Sequence, residues 1–413
     1  MQRFPLELLD AVIGCLEGDI CALRSCALVC QSWCYPSRTR IFRQITFDFS
    51  DFDPYRTLSS LKLLHGCLNR NSYIQHYVRN IVICNLQWPI AAVTRRGESA
   101  LRVVANILTL FRGVRELTLS NTNWWCLTDV LQQSICETIF PSCTDLLLED
   151  FMTFKIIDIS RLLSFTNDLS SLKLKNISSL DVTFSTSIQL DPNEYEGRKR
   201  QLRSMDSLSI SANSLLSMKY IQTLYDFKNL DSMSLGCVGD SNMALVEEML
   251  RKTKRLRHLE LRLDPPSASL QDFTLSLNNF PNIRSLETNS TGLAVRMFRG
   301  TTYNHPIRSA IIHSERVDEL MLDHLKLLDT CCVQPAFTSM NLIELRLVDE
   351  GVEQADLKRA SECCPYLNRK EVIKIHVPQG LPKGSGKRLT RLNMVRNKWR
   401  EKRASLDSID FNR

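Results

Sequence analysis

Leu256-Arg-His-Leu-Glu-Leu261 is the stretch from which the rest of the chain can be read. Its apolar residues stand at the first, fourth and sixth places. In an extended strand Leu259 and Leu261 share one face and Glu260 takes the other. The same apolar-x-x-apolar-x-apolar pattern starts at Val78, Val114, Cys143, Leu169, Met205, Leu230, Leu256, Ile283, Val317 and Leu342, with Thr288 breaking the last place of the Ile283 copy. The starts lie 36, 29, 26, 36, 25, 26, 27, 34 and 25 residues apart. A single copy means little in a chain that is 44% hydrophobic, but a return near 26 residues marks stacked repeats.

Helical stretches fill the intervals. Over Glu98–Arg112, Leu101, Val104, Ala105, Leu108 and Phe111 fall on one face. Over Ser241–Lys254, Leu245, Met249 and Leu250 do the same, with Glu247/Arg251 and Glu248/Lys252 as outer i,i+4 pairs. One strand and one helix cannot bury their own apolar faces; stacked, they form a parallel sheet backed by helices. The expected fold is therefore α/β, a leucine-rich-repeat-like solenoid. Its open strand face would carry Thr118, Lys173, Ser209, Glu260, Arg262 and Arg346. Asn121, Asn176 and Cys237 follow some strands, similar to the residue that satisfies free backbone groups of the turn in leucine-rich repeats, but here it comes one place early and is often missing. Leu86–Gly97 and Asp191–Arg203 read as loops or inserts, and Val377–Lys387 as a linker. Trp124-Trp125, just past a strand, suits either a recognition pair or a cover over the core edge.

Ahead of the repeats, residues 4–42 read as three short helices. Phe4-Pro5 opens the first, where the missing proline N–H costs nothing, and Leu8, Leu9, Val12, Ile13 and Leu16 follow at helical spacing. That stripe is too wide for one neighbour to cover. Gly18-Asp19 ends it, with Asp19 placed to cap a second helix carrying Ile20, Leu23, Ala27 and Val29; the third runs from Gln31-Ser32-Trp33 to Ile41-Phe42.

The chain carries 52 Lys/Arg and 45 Asp/Glu, but from Lys383 onward there are ten basic and three acidic residues, so the first 382 residues balance at 42 and 42. Any basic contact, with a nucleic acid for instance, is expected to be weak and confined to the tail. No apolar run approaches the roughly 18 residues of a membrane span. Glu7 and Asp10 interrupt the opening where a secretory signal would need apolar residues. A cytoplasmic or nuclear protein with reduced cysteines is expected. Cys26, Cys30 and Cys34 stand four apart, yet no Cys-x-x-Cys pair or nearby His completes a tetrahedral metal set. The seven histidines lie apart, and no glycine-rich phosphate loop occurs. No cofactor, metal or catalytic residue is expected.

Three segments together resemble the F-box. Phe4-Pro-Leu-Glu-Leu-Leu-Asp-Ala-Val-Ile13 resembles its opening, usually Leu-Pro-x-Glu-Leu/Ile-Leu. Leu23-Arg-Ser-Cys-Ala-Leu-Val-Cys-Gln-Ser-Trp33 is similar to its second signature, and Arg40-Ile-Phe-Arg-Gln-Ile-Thr-Phe47 to its end. The helix–strand repeats behind it look like those of fungal F-box proteins. The resemblance implies an F-box over residues 1–47, a solenoid over 48–377 and a basic tail over 378–413. It implies docking on the S-phase-kinase-associated adaptor and cullin of an SCF-type cullin-RING ubiquitin ligase, through Phe4, Pro5, Leu8, Val12, Ile13 and Leu16, with Trp33 packed inside. A protein substrate would sit on the solenoid, at Lys173, Ser209, Glu260, Arg262 and Arg346. Such a chain is a non-catalytic subunit. The same resemblance covers F-box scaffolds that bind the adaptor or other partners without promoting ubiquitination.

Overall fold

The structure, a computed structural model, describes residues 5–87, 94–155, 157–179, 203–211, 214, 217, 221–264, 276–302, 304–314, 317–347 and 354–376. Three helices, α1 (Leu6–Gly14), α2 (Ile20–Cys26) and α3 (Gln31–Ile41), come first. Strands and helices then alternate to form one long parallel sheet, the leucine-rich-repeat-like α/β solenoid that the repeat spacing predicts.

Its strands are β1 (Gln44–Asp48), β2 (Asn80–Cys84), β3 (Glu116–Asn123), β4 (Asp145–Thr153), β5 (Ser171–Lys175), β6 (Ser178–Ser179), β7 (Arg203–Ser204), β8 (Ser207–Ile210), β9 (Tyr225–Asp226), β10 (Ser232–Val238), β11 (His258–Leu263), β12 (Ser285–Thr288), β13 (Ser309–Ser314), β14 (Leu342–Leu347) and β15 (Ile373–His376). The sheet runs β1-β2-β3-β4-β5-β8-β10-β11-β12-β13-β14-β15, with β6 beside β4, while β7 and β9 form a separate pair.

Register sets apolar pair against apolar pair. Met233 lies beside Leu259 and Leu235 beside Leu261; those in turn lie beside Leu286 and Thr288. Leu259 and Leu261 are buried, Glu260 is half-buried and Arg262 exposed, as alternation requires. Thr288, the odd residue of its copy, is fully buried, and its hydroxyl accepts the Ser290 N–H at 3.2 Å. From β1 to β14 one carbonyl per rung accepts two N–H groups from the chain entering the next strand of the sheet. Arg43 O receives Arg79 and Asn80 at 2.8 and 2.9 Å, and Arg257 O receives Arg284 and Ser285 at 2.7 and 3.0 Å.

Two copies of the pattern are misplaced by sequence. Val317-Asp-Glu-Leu-Met-Leu322 is not a strand. Asp318 caps a helix, Glu319–Cys332, by accepting the Met321 N–H, and Met321, Leu322, Leu325 and Leu328 carry burial on at helical spacing. The strand of that rung is β13, with Ile307, Ala310 and Ile312 as its buried triplet. In β14 the buried triplet is Met340, Ile343 and Leu345, two residues earlier than the Leu342 start predicts. Besides β13 and the two-residue strands β6, β7 and β9, two strands of the long sheet lie outside the predicted set. β1 uses Ile45 and Phe47 against Ile81 and Ile83, so the sheet begins ahead of residue 48. β15 closes the described stack beside β14. The stretch 86–97 is not loop throughout, because Thr94 caps a helix, Arg95–Leu108, through the Gly97 N–H. The insert 191–202 and everything from residue 377 lie outside the described residues.

The asparagines that follow the triplets link neighbouring rungs. Asn85, Asn121 and Asn176, with Asp150, adopt positive φ at equivalent places in successive rungs, just past β2 and β5 and within β3 and β4, a conformation Asn and Asp tolerate best after glycine. Their side chains bond neighbouring rungs: Asn85 Nδ2 to Asp48 Oδ1 at 2.8 Å, Asn121 Nδ2 to Asn85 Oδ1 at 2.7 Å, and Asn176 Nδ2 to Asp150 Oδ1 at 3.0 Å. The Cys237 side chain lies outside the described residues. Trp124 is buried against Phe151 and covers the core edge, while Trp125 is exposed.

Candidate functional site

Two surfaces carry side chains that the fold itself does not consume. The first is on the helices. Leu9, Ile13 and Leu23 form a small core of their own, against which Leu16, Trp33 and Ile41 pack. Asp19 accepts the Ala22 N–H at 2.9 Å and so starts α2. Arg40 of α3 donates to Asp10 Oδ1 at 2.8 Å and to the Asp10 carbonyl at 3.0 Å, tying α3 to α1. Its guanidinium holds the Asp10 carboxyl below the usual carboxylate range.

The predicted contact residues therefore divide. Ile13 has no exposed surface and belongs to the module's interior, because a three-helix unit must spend one face of α1 on its own core. Leu16 is half-buried against the same core. Leu8 and Val12, four apart on the other face of α1, stand 54% and 45% exposed, and Pro5 is exposed at the helix start. Phe4 lies outside the described residues. Sequence reading missed Leu28, 87% exposed, which follows α2 and adds to the apolar surface together with Ile20 and Val29. The module is held to the solenoid by Arg43, which pairs with Glu17 at 2.8 Å and Glu116 at 3.6 Å, and by an edge-on contact of Tyr35 with Tyr77.

The second surface is the strand face turned away from the helices. Lys173, Ser209, Glu260, Arg262 and Arg346 all stand on it, as alternation with the buried pairs demands. Three zones follow one another across the strands. Thr46, Val82, Thr118 and Leu147 occupy equivalent places on β1 to β4. Serines fill the middle. Charged groups fill the C-terminal zone.

That last zone is a linked network. Ser234 Oγ donates to Glu260 Oε2 at 2.6 Å, and Arg262 pairs with Glu260 at 2.6 Å and Glu287 at 3.3 Å. His313 Nε2 meets Glu287 at 2.8 Å. Arg346 donates to Glu344 through Nε at 2.8 Å, and His376 Nε2 lies 3.5 Å from the same carboxylate. The Arg346 hydrogen bond, and then its charge, hold the Glu344 carboxyl below its ordinary range. Sequence reading found three members, Glu260, Arg262 and Arg346. Glu287 was legible as the place between the pair in the Ile283 copy. His313 was hidden by the misplaced Val317 copy, and His376 by a final strand without the pattern.

The arrangement suits recognition by shape and charge. Cys84 on this face has its thiol pushed up to about 11 by burial and then by the Asp48 carboxylate, so it stays protonated at neutral pH. Among the described residues no group of three His, Cys, Asp or Glu side chains is placed to hold a metal ion. Among them, too, no helix is long and apolar enough to cross a membrane. A groove between helices Glu319–Cys332 and Gln354–Glu362 has its charges paired off, Glu319 with Arg359 and Lys326 with Asp323. Compared with known proteins, the chain matches no family model and no curated sequence.

Proposed function

We propose that this chain is a substrate receptor of an SCF-type cullin-RING ubiquitin ligase. The helical module would dock on the adaptor subunit, and the open strand face would hold a protein substrate. The observation that carries the reading is the division of α1. One face closes a core of Leu9 and Ile13, and the other leaves Leu8 and Val12 in water beside the exposed Pro5. Apolar side chains left exposed in this way on a module whose sequence resembles the F-box are what an adaptor groove would cover. The receptor would have no chemistry of its own. It would raise the substrate's effective concentration near a ubiquitin-charged enzyme, and the link through Arg43 and Tyr35 would keep the two ends in fixed relation.

Calorimetric titration of the full chain with the purified adaptor tests this. Pro5→Ala with Leu8→Ala is expected to weaken binding by several kcal/mol, about 2 for each central anchor, with the circular dichroism spectrum unchanged because both residues are exposed. Equal affinity of the double variant and the parent would defeat the proposal.

A further inference from the structure

The middle of the strand face has a shape that neither end shares. At equivalent places β8 and β10 present Ser207 beside Ser232 and Ser209 beside Ser234. Ser211 and Gly236 follow, and a Cβ added at Gly236 would lie 3.5 Å from the Ser211 backbone. Two adjacent strands thus carry nothing larger than a hydroxymethyl group. On one side β5 places Lys173 beside Ser209. On the other, β11 places His258 beside Ser232 and Glu260 beside Ser234. The result is a shallow trough running along the strands, with a serine floor that Ser171 of β5 extends beside Ser207, Lys173 and Lys175 rising on one side and His258, Glu260 and Arg262 on the other. The walls stand three strand steps apart, roughly 14 Å, and the floor runs four residues, about 13 Å. Those dimensions admit one extended chain lying flat along the strands.

Polarity narrows the occupant further. Ser234 and Ser211 spend their hydroxyls on Glu260 and on the Asn176 N–H. Among the described residues Ser207, Ser209 and Ser232 engage no partner and face solvent, which leaves free donors and acceptors on the floor. Charges on the β11 wall cancel, since Glu260 is held by Arg262. On the β5 wall Lys175 faces Glu149 at 3.4 Å, but Lys173 is exposed and has no carboxylate beside it among the described residues. Among the described residues Lys173 is thus the one trough charge with no ion-pair partner.

We infer that the serine trough binds a single extended protein segment, its backbone bonded to the floor hydroxyls and an acidic side chain of it set against Lys173. This rests on the reading of the strand face as the substrate surface and specifies what it takes.

The probe is a displayed library of short random peptides, selected on the full chain, followed by fluorescence anisotropy of synthetic peptides from the enriched pool. Enrichment of Asp or Glu at one fixed position is expected. Ser209→Trp, which fills the floor from a solvent-facing position, should weaken binding more than tenfold. Ser209→Ala, which keeps the space and removes one hydroxyl, should weaken it a few-fold. Lys173→Glu should abolish the acidic preference and select basic residues in its place. Melting curves check that each variant is folded, and Ser234→Trp serves as a second filler if Ser209→Trp is not. An empty selection, a pool without acidic preference, or peptides indifferent to both tryptophan variants would overturn the inference. So would a single-stranded oligonucleotide, or a second copy of the chain seen in sedimentation, competing where no peptide binds. Adaptor titration is a separate readout: its failure removes the ligase reading and leaves the trough standing, while an empty selection does the reverse.

Discussion

Replacing Leu261 by Ala, and separately its neighbour Arg262, tests the strand alternation on which both surfaces depend. Leu261 has no exposed surface and lies between Leu235 on β10 and Thr288 on β12. With sheet on both sides and helices behind, the site has little freedom to collapse, and a buried Leu→Ala change costs about 2–5 kcal/mol. Arg262 is one residue away and makes two ion pairs, to Glu260 and Glu287, yet its side chain is 46% exposed. Solvent screens such pairs, so Arg262→Ala should cost about 1 kcal/mol or less. Urea denaturation followed by circular dichroism gives the comparison. Hydrogen exchange adds a spatial check, because each rung contacts its neighbours alone. In Leu261→Ala the amides of β10, β11 and β12 should lose protection before those of β1 and β2. Equal destabilisation by the two variants, or a larger effect at Arg262, would refute the alternation.

Four other outcomes are expected. Leu8→Ala with Val12→Ala should change stability by no more than about 0.5 kcal/mol by thermal melting, since both side chains are exposed and uncoupled from the helical core. His305 is fully buried, with Nε2 donating to the Phe280 carbonyl at 2.9 Å and Nδ1 accepting the Ile307 N–H, and burial pulls its pKa below the ordinary 6.5. Below that value the unfolded chain takes up a proton that the folded one refuses, so stability is full above about pH 6.5 and falls as the pH drops, a slope His305→Gln should flatten in urea titrations between pH 8 and 5.5. Asp329 is buried on helix Glu319–Cys332 and accepts the Tyr366 and Leu367 N–H groups at 3.2 and 2.9 Å, so Asp329→Ala should cost about 1–3 kcal/mol in chemical denaturation by stranding both donors. Cys143 and Cys364 have thiols pushed up to about 12 by burial, so in the native chain iodoacetamide should label the exposed Cys15, Cys21, Cys30 and Cys67 and spare these two, as mass spectrometry would read.

Most of the stack was legible because one triplet encodes both a strand and its buried side. Where the triplet failed, the cause was local. Val317-x-x-Leu320-x-Leu322 fits the strand pattern by chance, and Asp318 with the helical spacing that follows decides for a helix. Ala310 is a small member of its triplet, so the true strand Ser309–Ser314 carried a fainter signal. β15 ends the described stack with Ile373 and Ile375 half-buried, and an end strand needs no full apolar triplet. The helical module was legible as three amphipathic segments, but not which apolar residues face inward. That choice between Ile13 and Val12 depends on where α2 and α3 pack, which a stripe as wide as that of α1 leaves open. The serine trough was hidden for a different reason: Ser207, Ser209, Ser232 and Ser234 are unremarkable singly and form a surface only when β8 and β10 lie side by side.

The carbonyl row that joins each rung to the next also bears on how such a chain changes in descent. Arg43 O serves Arg79 and Asn80, and Arg257 O serves Arg284 and Ser285, by the same bonds, although the side chains around them differ. A whole rung duplicated or lost would leave its flanking rungs meeting through that same pair of bonds. Gain or loss of part of a rung would strand a carbonyl or slip a leucine pair into water. The heritable step in this architecture is the complete strand-to-strand unit, and smaller length changes are confined to the connections. Uneven intervals between rungs, from 24 residues (Ile283 to Ile307) to 36 (Val78 to Val114), over a register that pairs apolar residues except at Thr288, are consistent with that rule.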